Sequence, residues 1–226
     1  LTFLLTYGGS WRGLMANLGW PKEKALRIEA NYHALYVESD EWVKAKIDEA
    51  ARLGYATSAF GLRIRAPLLT QTLRGRAKCP HEAEAEARTL GNAISGQSYG
   101  LLTNRAANAF MAKVWASPYR LDILPVAFIH DAIYLLIRSR PEIVEWVNRE
   151  LITEMRWQEL PEITHDQVKL GAELDLFYPS WAYPVTLPNG ADAATILERC
   201  QAHRDELHEK GVLPALPTKK TPMSTP

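Results

Sequence analysis

The sequence predicts an α+β fold, mostly helical, with a small antiparallel sheet. Three observations predict it. Apolar side chains recur at helical spacing through the segments that precede Gly54. Two short apolar runs, Leu124 to Ile129 and Ala132 to Ile137, flank the polar pair His130-Asp131 and read as a tight β-hairpin. An amphipathic segment, Pro141 to about Trp157, follows with Ile143, Val144, Val147 and Leu151 on one helical face.

The elements follow in order. Leu1 to Thr6 is apolar and stops at Gly8-Gly9. Ser10 can cap a short helix through Leu18, and Pro21 can open a second helix to about Tyr36. Ser39 is placed to cap a third helix through Arg52, with Gly54 as its terminator. Tyr55 to Ala66 reads as a small hairpin before Pro67. Pro80 to Ser95 is Ala- and Glu-rich and reads as helix. Gly96 and Gly100 bracket a break, and a further helix follows from Leu101 to Trp115. After the hairpin and its helix, Val168 to Leu174 alternates like a strand, and Leu176 to Trp181 is aromatic and turn-like. Asp192 to Lys210 reads as a polar, exposed helix, and Leu213 to Pro226 as a disordered tail.

The chain has 226 residues, a formal net charge of zero and 47% hydrophobic residues, so it can bury a sizeable core. Charge is uneven. Gly61 to Lys78 holds Arg63, Arg65, Arg74, Arg76 and Lys78 without one acid, whereas the part after Arg140 is acid-rich. A local phosphate-binding face is therefore compatible with a neutral whole. The two cysteines, Cys79 and Cys200, make neither a zinc motif nor a disulfide scaffold, and a reducing compartment fits. No apolar run approaches the ~20 residues of a membrane span. The sequence opens on Leu1 within an apolar segment and reads as a piece that begins inside an element.

Three groups of residues could carry chemistry. Asp131 stands at the tip of a hairpin whose apolar walls specify its register. It is presented either as a metal ligand or as an acceptor for the hydrogen bonds of its own turn. Phe3 and Tyr7 share a helical face beside Gly8, suited to stacking on a base or to packing in a core. Arg88 and Asn92 share a face four residues apart, with Gln97 shortly after. They suit phosphates, sugars and minor-groove edges, or simply a solvated helix surface. His165-Asp166 lacks hairpin walls, and Gly8-Gly9-Ser10 lacks the Lys-Ser/Thr of a phosphate loop.

Taken in order, these segments resemble the family A, DNA polymerase I-like, DNA polymerases, from Leu1 to about Trp181. LTFLLTYGG resembles the end of motif B on the fingers helix, and the segments through RLGY are similar to the fingers helices that follow. ATSAFGLRIRAP looks like the arginine-bearing hairpin, and RTLGN with GQSYG resembles the Arg…Asn…Gln signature. VAFIHDAIYLLIR resembles motif C, and VKLGAELDLFYPSWA the last palm strand with its terminal Trp. The resemblance implies fingers helices and the C-terminal half of a polymerase palm. Residues 1–78 would form the fingers helices and following hairpin, 79–186 the palm with motif C, and 187–226 a C-terminal helix and flexible tail.

It also implies roles. Asp131 would bind catalytic Mg²⁺, two ions roughly 4 Å apart, shared with a carboxylate outside this chain, and His130 would lie beside the primer end. Tyr7 would stack at the templating position. Phe3 and Gly8 would border the nucleotide, and in the family Phe at that helix position goes with rejection of dideoxynucleotides. Arg88, Asn92 and Gln97 would hold primer and template, with Arg63 and Arg65 on the backbone. The implied partners are primer-template DNA, dNTP and an N-terminal polymerase portion bearing motif A and the triphosphate-binding Arg and Lys. Without that portion the chain would not polymerise DNA. The implied location is the cytoplasm of a bacterial or phage-infected cell.

The sequence departs from the family at two places. Ala132 stands where motif C usually has Glu. GNAISGQ holds one extra residue, so that Gly96 or Gln97 takes the glutamine position, and Gln97 is chosen by its chemistry. Ala132 and the tail suggest a phage-like branch. A non-catalytic remnant that binds primer-template DNA or a replication partner is the alternative function.

Overall fold

The first two helices are short because glycines follow them closely. The computed structural model describes residues 1–6, 8–73, 80–161 and 163–214. The chain divides into two compact units, Leu1–Leu102 and the residues from Thr103 onward. Among the described residues, no helix is long and apolar enough to cross a membrane.

The first unit opens with α1 (Thr2–Thr6), α2 (Trp11–Leu18), α3 (Lys22–Leu35) and α4 (Val37–Leu53). Gly9 permits the turn after α1, since a Cβ there would lie 2.5 Å from the Leu4 carbonyl oxygen. Leu5, Leu14 and Ala25 form a small buried cluster, against which Trp11, Met15, Ile28 and Tyr32 pack. The Trp11 N–H donates to Glu29 Oε1 at 2.9 Å, which ties α2 to α3. Ser39 does not cap α4 as expected. The helix begins at Val37, with only Tyr36 between it and the end of α3, and Ser39 lies within its first turn. Glu38 and Asp40 favour that start, because acids in a first turn oppose the positive end of the helix dipole.

Gly54, at φ 81°, ends α4 as expected. The hairpin of β1 (Tyr55–Thr57) and β2 (Arg63–Arg65) follows, in the register Tyr55 to Arg65. Pro67 opens a short helix not expected from the sequence, α5 (Pro67–Leu73). Ala50, Ala56, Ala66, Leu69, Leu90 and Ile94 form a second core, whose three alanines let helix and hairpin backbones approach closely.

The glycines at 96 and 100 do not break the chain into two helices. One helix, α6, runs from Pro80 to Ala116. A helical glycine costs only ~1 kcal/mol against alanine, and the Ala- and Leu-rich flanks of Gly96 and Gly100 offset that. Arg74, Arg76, Lys78 and Cys79 lie outside the described residues.

The second unit is built around the β3 (Ile123–Ile129) and β4 (Ala132–Ile137) hairpin, as expected from the two apolar runs. Register runs from Ile123 opposite Ile137 to Ile129 opposite Ala132, with a bulge between Pro125 and Ala127. Its inner face carries Ile123, Ile133, Leu135 and Ile137 onto Phe110 and Val114 of α6 and Ile143, Val147, Leu151 and Ile152 of α7 (Pro141–Met155). The outer face holds Leu124, Tyr134 and Leu136 by alternation, and Leu124 and Leu136 are exposed.

The last part differs most from expectation. Val168 to Glu173 is not a strand, and β5 starts at Leu174 and runs to Phe177. It pairs with an unexpected strand, β6 (Pro184–Leu187). The final helix, α8 (Ala193–Glu209), has Asp192 as its cap, whose carboxylate accepts from the Thr195 N–H at 2.8 Å. It is not merely a solvated helix. Ile196 and Leu207 are 2% exposed, and Ile196 joins Leu187 and Ala191 in the same core as α7. α7 receives this segment with two polar groups. Buried Asn148 donates to the Pro188 carbonyl at 2.8 Å, and Glu145 accepts from the Ala193 N–H at 3.0 Å. The expected tail from residue 215 onward lies outside the described residues. The result is a helical protein with three separate two-stranded antiparallel sheets among its described residues, an α+β arrangement with small sheets.

Candidate active site

Asp131 is presented by the shortest connection a hairpin allows. His130 and Asp131 alone join β3 to β4. His130 has φ 55°, and it is one of two non-glycine residues with positive φ among those described. Positive φ at the first of two tip positions matches a type II′ hairpin turn, where glycine is usual. Histidine there costs about 1 kcal/mol or more. Strain of this kind is kept where the surroundings over-determine a side-chain position.

Both tip residues are exposed. Among the described residues, no hydrogen bond or ion pair engages the Asp131 carboxylate, so the turn does not use it as an internal acceptor. It is left free to accept from outside. Both strands hold it from behind, and their inner face is anchored by Ile133, Leu135 and Ile137 in the core.

The residues present would supply at most one ligand of a metal site. No group of three or more His, Cys, Asp or Glu side chains able to hold a metal occurs among the described residues. Mg²⁺ retains several waters and often takes only one or two carboxylates together with substrate phosphates. An exposed, unengaged aspartate on a rigid turn fits one such ligand and not a complete cage. Ala132 contributes no donor beside it.

The other candidates lie in the first unit. Gly8 has φ 74°, and a Cβ there would lie 3.7 Å from Cγ of Arg88. The glycine after α1 and the exposed arginine of α6 are therefore neighbours. The backbone of Phe3 belongs to α1, and Tyr7 lies outside the described residues. Asn92 is half-buried, one turn after Arg88. Because α6 is unbroken, Gly96 continues the row from Arg88 through Asn92. Gln97 is turned roughly 140° about the axis from Asn92.

Arg63 and Arg65 are exposed on β2. The Arg63 guanidinium lies over the Tyr55 ring at 4.5 Å, which holds it in a defined direction. Arg65 borders an open groove of about 450 Å³ between β2, α5 and α6, lined also by Leu68, Glu82, Glu86 and Thr89.

Sequence reasoning missed the aromatic contact behind the tip. Trp181 stacks on Tyr134 of β4, with centroids 4.9 Å apart and planes 28° apart. The available signal was Tyr134 itself, an aromatic on the strand face opposite Ile133 and Leu135.

No protein-family model matches the chain, and no curated protein matches it in sequence. Among solved structures, it is similar to the POL domain of Pol1 from M. smegmatis, solved as a complex with DNA primer-template and dNTP. The identity is 18% and the TM-score 0.59, over 75% of this chain and 27% of that one. The chain thus spans about a quarter of that structure's length. At this identity the likeness is one of fold alone: the chain is similar in fold to part of that POL domain.

Proposed function

We propose that this chain is the C-terminal part of a template-directed DNA polymerase of the family A kind, of a phage-like branch, adding deoxynucleotides to a primer 3′ end. The observation that carries this reading is Asp131, exposed and unengaged among the described residues, on a strained two-residue turn in a polymerase-like fold. In this reading the Asp131 carboxylate would be one ligand of a catalytic Mg²⁺, which when bound would supply activation of the primer hydroxyl and charge neutralisation at the departing pyrophosphate.

The chain's own residues bind and orient. Asp131, fixed by its strands, sets where the primer end must sit, and His130 borders that position. This reading assigns the incoming nucleotide and the templating base to Phe3, Tyr7 and Gly8. Arg88 and Asn92 offer donors to the sugar-phosphate chain, and Arg63 and Arg65 add charge for the backbone. Gln97 contacts nucleic acid from a different side of α6 than Arg88 does. In this reading a second carboxylate and cations for the triphosphate would come from an N-terminal polymerase portion, in a cytoplasmic setting.

A second reading is favoured by Ala132: a non-catalytic remnant that binds primer-template DNA or a replication partner. Primer extension separates the two. Co-expressed with a segment bearing motif A and the triphosphate-binding residues, the chain extends a primer only with Mg²⁺ present. Metal-independent binding of primer-template without extension would favour the remnant.

A further inference from the structure

We infer that Trp181 is a positioning residue for Asp131, acting through Tyr134. The inference rests on the reading of Asp131 as a metal ligand.

The β3–β4 sheet has only two strands, and a two-stranded hairpin is marginal by itself. Its inner face is secured by Ile133, Leu135 and Ile137 in the core. Its outer face is largely uncovered, with Leu124 at 58% and Leu136 at 62% exposure. Tyr134 is the outward residue on β4 nearest the tip with a large side chain, three positions after Asp131. The Trp181 ring lies on it, nearly parallel.

Trp181 is itself held from the β5 side. Phe177, the last residue of β5, packs at a tilt with its centroid 6.4 Å away. The next residue, Tyr178, pairs its N–H with the Tyr183 carbonyl at 3.2 Å. Arg204 of α8 lies over the Tyr178 ring at 5.8 Å. A chain of contacts therefore runs from α8 through the β5–β6 turn to the outer face of the hairpin.

Trp181 nevertheless remains 64% exposed. A ring placed only to fill a core would be buried. This one braces a strand close to the turn, on the face that the core does not reach. Sandwiched between core and ring, β4 has little freedom to rock, and a ligand on its tip keeps its place. Loss of such support characteristically weakens a metal site without removing a ligand.

Two measurements test this. In the full chain, amide hydrogen exchange at Ile129 to Ala132 is expected to accelerate in Trp181→Ala and to return to the original rate in Trp181→Phe, which keeps a stacking ring. In the polymerase completed by its N-terminal portion, Trp181→Ala is expected to lower kcat about tenfold. The Mg²⁺ midpoint rises, while the KM for dNTP and the affinity for primer-template stay unchanged. Trp181→Phe restores both. Trp181→Leu keeps apolar bulk and so guards against misfolding. It is expected to keep the thermal midpoint yet show the raised Mg²⁺ requirement. Unchanged exchange and Mg²⁺ midpoint in Trp181→Ala, beside an inactive Asp131→Ala, would overturn this inference alone. An active Asp131→Ala would overturn the reading of the site on which it rests.

Discussion

Gly8 and Arg88, far apart in sequence, are neighbours in the first unit: a Cβ at Gly8 would sit 3.7 Å from Cγ of Arg88. Contact at that distance is ordinary, so the penalty for a side chain at Gly8 lies in its φ of 74°. Gly8→Ala is expected to cost about 1 kcal/mol, read as a lower urea midpoint with an unchanged slope. Gly9→Ala should cost more, because its Cβ would collide with the Leu4 backbone at 2.5 Å. Equal costs at the two positions would contradict the description of this turn.

Arg88 is exposed, so its removal should leave stability nearly unchanged. In the completed polymerase, Arg88→Ala is expected to weaken primer-template binding to a similar extent for all sequences. The slope of log affinity against log salt should fall by about 1. A change in sequence preference at constant salt slope would mean that Arg88 reads bases instead of phosphate.

Phe3 yields a prediction from the resemblance of LTFLLTYGG to motif B. Phe3→Tyr is expected to increase incorporation of dideoxynucleotides relative to deoxynucleotides, measured by competition at one template position. An unchanged ratio would mean that α1 is not aligned with the fingers helix as proposed.

Ion pairs tie α6 to α7 behind the hairpin. Glu154 accepts from Arg105 at 2.7 Å and pairs with Lys113 at 2.8 Å, and Lys113 also reaches Glu150 at 2.9 Å. The hydrogen bond from Lys113 holds Glu150 below the usual carboxylate value. For Glu154, burial pushes the carboxyl up, but Lys113 and Arg105 together outweigh it and the net shift is down. Lys113 is raised, chiefly by its bond to Glu154. The two carboxylates therefore contribute stability that is present above 4.5, the ordinary carboxylate value. It is lost as pH falls through their lower folded values. The share of Lys113 persists through neutral pH and is lost only as pH rises through a value above 10.5. Glu154→Gln is expected to cost about 1–2 kcal/mol at neutral pH, with the deficit shrinking in acid. A deficit independent of pH would contradict the ion-pair origin.

The segment after Trp181 should be needed for folding of the second unit. Leu207→Ala is expected to cost about 2–4 kcal/mol, and deletion after Leu187 to leave α7 exposed and the chain aggregating. A deletion variant with an unchanged melting curve would show that α8 is dispensable.

Much of this was legible in the sequence, and what was not has physical causes. The β3–β4 hairpin was legible because Leu124 to Ile129 and Ala132 to Ile137 flank only two polar residues. The join between α3 and α4 was misplaced because Ser39 is a good cap by type, while Tyr36, without a capping side chain, makes the break. Gly96 and Gly100 suggested a break, yet tertiary packing of α6 on both sides of them overrides a cost of ~1 kcal/mol each. α8 looked solvated because only a narrow stripe, Ile196 to Leu207, is buried in a polar helix. Asp131 was legible as a candidate, but the absence of turn bonds to it among the described residues required coordinates. So did the bracing of Tyr134 by Trp181, which pairs residues on separate elements.

The most direct measurement is single-turnover primer extension by the completed polymerase carrying Asp131→Ala, beside thermal melting of the same variant. Asp131 is exposed and its carboxylate makes no hydrogen bond or ion pair among the described residues, so the melting midpoint should be unchanged. Loss of a group that merely supports a metal ligand costs about 10–100-fold, so loss of the ligand itself should lower the rate by at least ~100-fold. Extension at the original rate by a folded Asp131→Ala variant would contradict the assignment of the His130-Asp131 turn as the catalytic metal site.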